Sequence, residues 1–267
     1  MPSREVLAAF GASETPVALP GGRGKSWRSG SLVLKPIDTP LEALDWMDVT
    51  VRAASVGGMR LSLPVRSESG ALLVDGWTAF PFLEGSHPVG DWQLRAEVAR
   101  LFASTLSPLP RPSFLGVPRT HAWAQADRMA WKEEALDAAP PFGDSLAALL
   151  EAWRPVSARD TLIHGDITGN VVVAPGLAPA VIDLTFYWRP VEYSVAILAV
   201  DAVCFEDAPL ALLQTIDPHP DFDQFLVRAV LFRMGTDALL KVADTGRYRE
   251  AAAFILERAG RRREAEA

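Results

Sequence analysis

Short apolar runs separated by glycines fill the first third of the chain, and longer apolar stripes at helical spacing fill the rest. The short runs are residues 17–19, 32–34, 61–63, 72–74 and 77–82. Gly21, Gly22, Gly24, Gly30, Gly57, Gly58, Gly70 and Gly76 punctuate them, as turns between strands require. One helix interrupts the series. Pro40 suits a first turn after Thr39 as N-cap, and Leu41, Leu44, Met47 and Val51 follow at 3–4 spacing.

After Gly85 the periodicity is helical. Leu94, Val98, Leu101 and Phe102 form one stripe. Leu146, Leu149, Leu150 and Trp153 form another, with Asp144 or Ser145 as its cap. Residues 190–205 form a third, whose most apolar part, residues 195–205, is interrupted by Asp201. Phe222, Phe225, Leu226, Ala229, Phe232 and Met234 mark a fourth, and Tyr248, Ala252, Ile255 and Leu256 a fifth. One β-like region breaks this half, at residues 162–163, 171–173 and 180–182. The pattern predicts an α+β chain of two lobes, a small β-rich lobe over 1–84 and a larger, mainly helical lobe over 85–267.

Composition narrows the function classes. With 267 residues and 49% hydrophobic content the chain can bury a sizeable core. The net charge is −7, and the one dense basic run is Arg261, Arg262 and Arg263. Glu264 and Glu266 follow it, so it reads as a solvated helix end and not as a nucleic-acid surface. The single cysteine, Cys204, excludes a disulfide framework or a cysteine zinc site within one chain. No stretch approaches the roughly 20 apolar residues of a membrane span, and no signal-peptide run follows Met1. The expectation is a cytoplasmic protein with neither nucleic acid nor membrane as partner.

The densest chemistry lies in His164-Gly165-Asp166-Ile167-Thr168-Gly169-Asn170, followed by a hairpin that ends in Ile182-Asp183. An apolar strand delivers His-Gly-Asp into a tight loop, and the hairpin returns a second carboxylate to the same end of a small β-unit. Oxygen-bearing side chains so placed suit Mg²⁺, a hard cation that shares its shell with substrate phosphates. A further carboxylate can orient a substrate hydroxyl. Phosphoryl transfer asks a protein mainly for positioning and charge neutralisation.

This segment resembles the catalytic core of the aminoglycoside phosphotransferase and choline kinase-like superfamily, relatives of the protein kinases. Gly169-Asn170-Val171-Val172-Val173 and Tyr187-Trp188-Arg189-Pro190 resemble an uncharacterised bacterial branch of it. The resemblance implies a two-lobed protein kinase-like fold, ATP and Mg²⁺ as cofactors, and a small-molecule hydroxyl acceptor. An amino sugar, an aminoglycoside or a similar metabolite is the implied acceptor class. It makes Asp166 the catalytic aspartate, Asn170 and Asp183 the metal ligands, and His164 a support for the loop. Only Ile167, Thr168 and Gly169 stand between Asp166 and Asn170, one residue fewer than the family's usual spacing. Gly169 is expected to close the shorter loop with a positive φ, turning Asn170 toward Asp183.

The same resemblance assigns the first lobe to nucleotide binding. Gly21, Gly22 and Gly24 form the phosphate loop, and Lys35 at the end of a strand is the phosphate-contacting lysine. Glu42 is its expected helix partner, with Asp45 and Asp48 as alternatives. Pro81, Phe82 and Leu83 form the hinge. Pro81 can only accept a hydrogen bond, so the N–H toward adenine belongs to Phe82 or Leu83.

Other readings of the sequence fail on spacing. A P-loop needs a glycine five residues before Gly24, and Leu19 stands there. No Gly-x-Ser-x-Gly elbow is present. His87, His121, His164 and His219 are too scattered for a local metal motif. Thr168 takes the place of the lysine that follows the catalytic aspartate in Ser/Thr protein kinases, which argues against a peptide substrate. The rival reading is a pseudokinase that binds nucleotide without turnover. Trp188, just past Asp183, is the tryptophan held open for an acceptor contact.

Overall fold

The computed structural model describes residues 1–20, 24–54, 57–135, 143–243 and 246–266. Gly21 and Gly22 lie outside the described residues. The fold is α+β and separates into two compact units. One comprises Met1–His87 with Asn170–Leu184, the other Pro88–Gly169 with Thr185–Ala267.

In chain order the elements begin with α1 (Arg4–Ala9), β1 (Val17–Ala18), β2 (Trp27–Ser29), β3 (Leu32–Pro36), α2 (Leu41–Trp46), β4 (Arg60–Leu61) and β5 (Trp77–Pro81). There follow α3 (Trp92–Leu106), α4 (Ala122–Ala130), α5 (Gly143–Ala152), β6 (Thr161–His164), β7 (Val171–Val172), β8 (Ala180–Val181) and β9 (Phe186–Arg189). The chain ends with α6 (Val191–Phe205), α7 (Leu212–Thr215), α8 (Phe222–Leu239) and α9 (Arg249–Glu266). Among the described residues no helix is long and apolar enough to cross a membrane.

The first unit is built on the antiparallel sheet β1-β2-β3-β5. Alternation along β3 buries Leu34 and turns Lys35 to the other face. Leu34 and Ala79 meet Val6, Leu7 and Phe10 of the α1 region in one apolar cluster. The sequence pattern did not reveal α1, which has six residues and is fastened by the Ser3 hydroxyl accepting from the Val6 N–H. Pro40 itself takes the N-cap position of α2, while the Thr39 hydroxyl bonds to Asp38, so Thr39 is not the cap. The run at 72–74 forms no strand and contributes a single bridge, Val74 to Trp77. A small second sheet pairs β4 parallel to β8 and β8 antiparallel to β7.

The second unit gathers helices around the β6–β9 ladder. Helix α6 is apolar on every side because it is enclosed, with all residues from Tyr193 to Ala202 buried. Phe102 of α3 stacks on Phe186 and meets the ring of His164 edge-on. Helix α5 begins at Gly143, so Asp144 and Ser145 stand inside its first turn and are not its cap.

Candidate active site

In the first unit the structure brings together two residues far apart in sequence. Lys35 Nζ donates to Asp183 Oδ1 at 2.7 Å, and Asp38 lies at 3.9 Å. The lysine is held in place by its strand. Lys35 pairs with Thr78 in the β3–β5 register, the Thr78 hydroxyl donates to the Lys35 carbonyl, and the ring of Phe80 lies 4.9 Å from Nζ. Its side chain is 13% exposed, whereas that of Asp183 is 49% exposed. A largely buried lysine thus meets a carboxylate that faces solvent.

Asp183 has a φ of 48°, in the left-handed region that a non-glycine residue enters at a cost. Asp tolerates that region better than most residues. Antiparallel pairing of β7 and β8 sets Asn170 opposite Ile182, whose N–H donates to the Asn170 carbonyl at 3.0 Å. Asn170 and Asp183 therefore stand at one end of a hairpin. Both offer hard oxygen donors, the chemistry that Mg²⁺ takes, so the residues present fit that ion.

Two expectations require correction. Gly169 does not have a positive φ, and a Cβ placed there would meet nothing within 4 Å. Asp45 and Asp48 are engaged with arginines. Asp45 binds Arg66 at 3.0 Å, and Asp48 binds Arg66 at 2.6 Å and Arg52 at 2.8 Å. Burial raises the Asp48 pKa and the two arginines lower it more, leaving it below the ordinary carboxylate value. Glu42 stands exposed in the first turn of α2. Gly24 takes a φ of 68° in the connection between β1 and β2.

At the expected hinge, β5 ends with Pro81. The Phe82 N–H donates to the Ser31 carbonyl at 2.7 Å, and Arg28 covers the Phe82 ring at 3.6 Å. Of the two alternatives left by the sequence, the Phe82 N–H is thus occupied. The Leu83 N–H has no hydrogen-bond partner among the described residues.

In the second unit, β6 delivers the His-Gly-Asp loop. A Cβ on Gly165 would lie 2.1 Å from Cδ2 and Cε2 of Tyr187, so only glycine fits beneath that ring. His164 is buried, and its Nδ1 accepts from the Asp166 N–H at 3.1 Å. The Ser194 hydroxyl donates to the His164 carbonyl at 2.6 Å. The imidazole thus shapes the loop, and Asp166 carries the half-exposed carboxylate.

The residues that brace Asp166 were not identified from sequence. Arg233 of α8 donates to Asp166 Oδ1 at 3.2 Å and to both oxygens of Asp201, with Nε to Oδ1 at 2.6 Å. Asp201 also accepts from the Thr168 hydroxyl at 2.8 Å. Burial pushes the Asp201 carboxyl up, while Arg233 and Thr168 act against that shift. Asp201 and its bidentate contact keep the Arg233 guanidinium charged. From the other side Arg95 donates to the Thr168 carbonyl at 2.8 Å and to Glu206 Oε1 at 2.8 Å. The loop after Asp166 is therefore pinned through both the hydroxyl and the carbonyl of Thr168. The one sequence signal for this network was Asp201, an acid within the apolar run of residues 195–205.

Solved structures share this fold. Spectinomycin phosphotransferase APH(9)-Ia, in complex with ADP and spectinomycin, is 14% identical, with TM-score 0.57 over 95% of this chain and 92% of that one. A thermostable mutant of aminoglycoside phosphotransferase APH(4)-Ia, with AMP-PNP and hygromycin B, is 13% identical, with TM-score 0.61 over 96% and 98%. Choline kinase LicA from Streptococcus pneumoniae is 9% identical, with TM-score 0.58 over 91% and 93%. A search of curated proteins finds no match. The fold is that of the kinase-like phosphotransferases. The profile of the phosphotransferase enzyme family matches residues 25–226, and the chain belongs to that family.

Proposed function

We propose that the protein transfers the γ-phosphoryl group of ATP to a hydroxyl of a small, sugar-like molecule. The observation that carries this reading is the Lys35–Asp183 contact at 2.7 Å, which unites the expected phosphate-binding lysine and metal-binding aspartate. The first unit is assigned to nucleotide binding and the second to catalysis and acceptor binding. Lys35 neutralises phosphate charge, the Leu83 N–H meets the adenine, and backbone near Gly24 approaches the phosphates. Asp183 and Asn170 would hold Mg²⁺, which would supply positive charge to offset that of the phosphates. Asp166 accepts a hydrogen bond from the acceptor hydroxyl and takes its proton as the phosphoryl group transfers. Its engagement with Arg233 fixes its direction toward the acceptor hydroxyl.

A family likeness to proteins solved with ADP, AMP-PNP, spectinomycin and hygromycin B supports a nucleotide donor and a polyhydroxylated acceptor. ADP formation from Mg-ATP, measured against a panel of sugars, amino sugars, sugar acids and amino alcohols, tests the reading. Acceptor-dependent ADP release supports it. Nucleotide binding without turnover on any acceptor would instead identify a pseudokinase.

A further inference from the structure

The hairpin that carries Asn170 and Asp183 is held at both of its edges, within the first unit. Asn170 immediately precedes β7, and Asp183 lies just past β8. At the β8 edge, β4 pairs in parallel with Arg60 opposite Ala180. The Arg60 N–H donates to the Pro179 carbonyl at 2.8 Å, and the Ser62 N–H to the Val181 carbonyl at 3.0 Å. At the β7 edge lies the chain just past the expected hinge. Ser86 and Val173 exchange both of their N–H to carbonyl bonds at 2.9 Å. His87 Nδ1 donates to the Val171 carbonyl at 3.0 Å, since a carbonyl can only accept. Gly85 permits this approach: its φ is 139°, and a Cβ there would lie 2.4 Å from the Val173 carbonyl oxygen.

One side chain joins the two edges. Arg60 Nε donates to the Ala178 carbonyl at 2.9 Å, in the turn between β7 and β8. Its Nη2 donates to the Glu84 carbonyl at 3.0 Å. An arginine that closes a surface turn is commonplace, but the second carbonyl belongs to another segment. Glu84 stands one residue past Leu83, whose N–H is the free donor of the hinge. Strands β7 and β8 have two residues each. A shift at the turn end therefore reaches the ligand end, about 7 Å away, with little to absorb it.

We propose that Arg60 is a positioning residue for the metal ligands, fixing the hairpin so that Asn170 and Asp183 can present their oxygens to Mg²⁺. The inference rests on the phosphotransferase reading and deepens it. Mg²⁺ demands near-ideal octahedral geometry and tolerates little displacement of its ligands. Groups outside the coordination shell that orient those ligands change metal affinity about 10–100-fold. Arg60 acts only through backbone carbonyls, so its effect falls on metal affinity and not on metal-free nucleotide binding.

Two measurements on the full chain test this, for wild type, Arg60→Ala, Arg60→Lys and His87→Ala. The first is calorimetric titration of ADP at a series of Mg²⁺ concentrations and in EDTA. Arg60→Ala should raise the Mg²⁺ concentration for half-maximal tightening of ADP binding about tenfold, with binding in EDTA nearly unchanged. Arg60→Lys can still reach one carbonyl, and His87→Ala frees only that of Val171, so both should shift less in the same direction. The second is amide hydrogen exchange. The Val173 and Ile182 amides, which bond to the Ser86 and Asn170 carbonyls, should exchange faster in Arg60→Ala, while those of the β3–β5 ladder keep their wild-type rates. A Mg²⁺ midpoint unmoved in Arg60→Ala overturns the proposal and leaves the phosphotransferase reading standing. Equally quickened exchange in both sheets also overturns it, since Arg60 would then support the unit as a whole. Wild-type ADP binding that ignores Mg²⁺ removes both the proposal and the metal-dependent reading beneath it.

Discussion

Lys35 Nζ and Asp183 Oδ1 lie 2.7 Å apart across a separation of 148 residues. Strand β3 carries the lysine and the end of β8 leads to the aspartate, whose φ of 48° lies in the left-handed region. A surface ion pair alone contributes little stability, and under the proposed function the two groups bind phosphate and metal. Lys35→Ala should weaken ATP binding with or without metal. Asp183→Ala should weaken mainly the Mg²⁺-dependent part. Calorimetric titration of ATP into each variant with Mg²⁺ and with EDTA checks this. Loss of the same metal-independent affinity in both would contradict the division of roles.

Gly165 and Gly169 stand on one loop and should respond oppositely to substitution. Gly165→Ala places a methyl 2.1 Å from the Tyr187 ring and should destabilise the protein by about 1–3 kcal/mol. Gly165→Ala combined with Tyr187→Leu should recover part of that loss. Gly169→Ala meets nothing within 4 Å and has no left-handed backbone to strain, so its cost should stay within about 1 kcal/mol. Denaturant melts of the variants decide the matter, and a larger cost at Gly169 than at Gly165 would contradict the geometry.

The Asp201–Arg233 contact should matter for turnover more than for nucleotide binding. Asp201→Asn leaves Arg233 buried with one acid partner in place of two and frees the Thr168 hydroxyl. Expected is a loss on the order of 3 kcal/mol in stability and about a hundredfold in kcat at equal folded fraction. ATP affinity should hold. A variant with unchanged kcat would show that Asp166 needs no such brace.

The pair of Arg95 and Glu206 adds a pH-dependent contribution. The Arg95 hydrogen bond holds the Glu206 pKa below its ordinary 4.5, against burial and with help from Trp92. A depressed carboxylate stabilises the fold fully above 4.5, and that contribution fades as pH falls through the folded-state value. At pH 7 Glu206→Gln should cost about 1–3 kcal/mol, and the difference should shrink as pH falls below 4.5 and through the folded-state value. Melting curves of both proteins across pH test this, and a constant gap at all pH values would refute it.

The His-Gly-Asp loop, Asn170 and Asp183 stood out in the sequence by residue type and local spacing, and Lys35 by the family resemblance. Strands β3 and β5 were legible because glycines bound them. Helix α1 was hidden by its length, and β9 by its mixture of aromatic residues with Trp188 and Arg189. The brace around Asp166 was illegible for another reason: its ion pairs join residues 32, 67 and 111 positions apart, and no periodicity reports such distances. The expectation for Gly169 failed for the same cause. The short loop is held by Arg95 donating to the Thr168 carbonyl and by the Thr168 hydroxyl donating to Asp201, and needs no left-handed glycine.

The central claim is that Asp166 serves phosphoryl transfer to a hydroxyl. The most direct measurement is acceptor-dependent ADP formation from Mg-ATP by wild type and Asp166→Asn, with ATP affinity determined on the same samples. The account predicts turnover by wild type on at least one hydroxylated acceptor and a fall of about 10²–10⁴-fold in the variant, with ATP affinity nearly unchanged. No acceptor-dependent ADP from wild type, or equal rates in the two proteins, would contradict it.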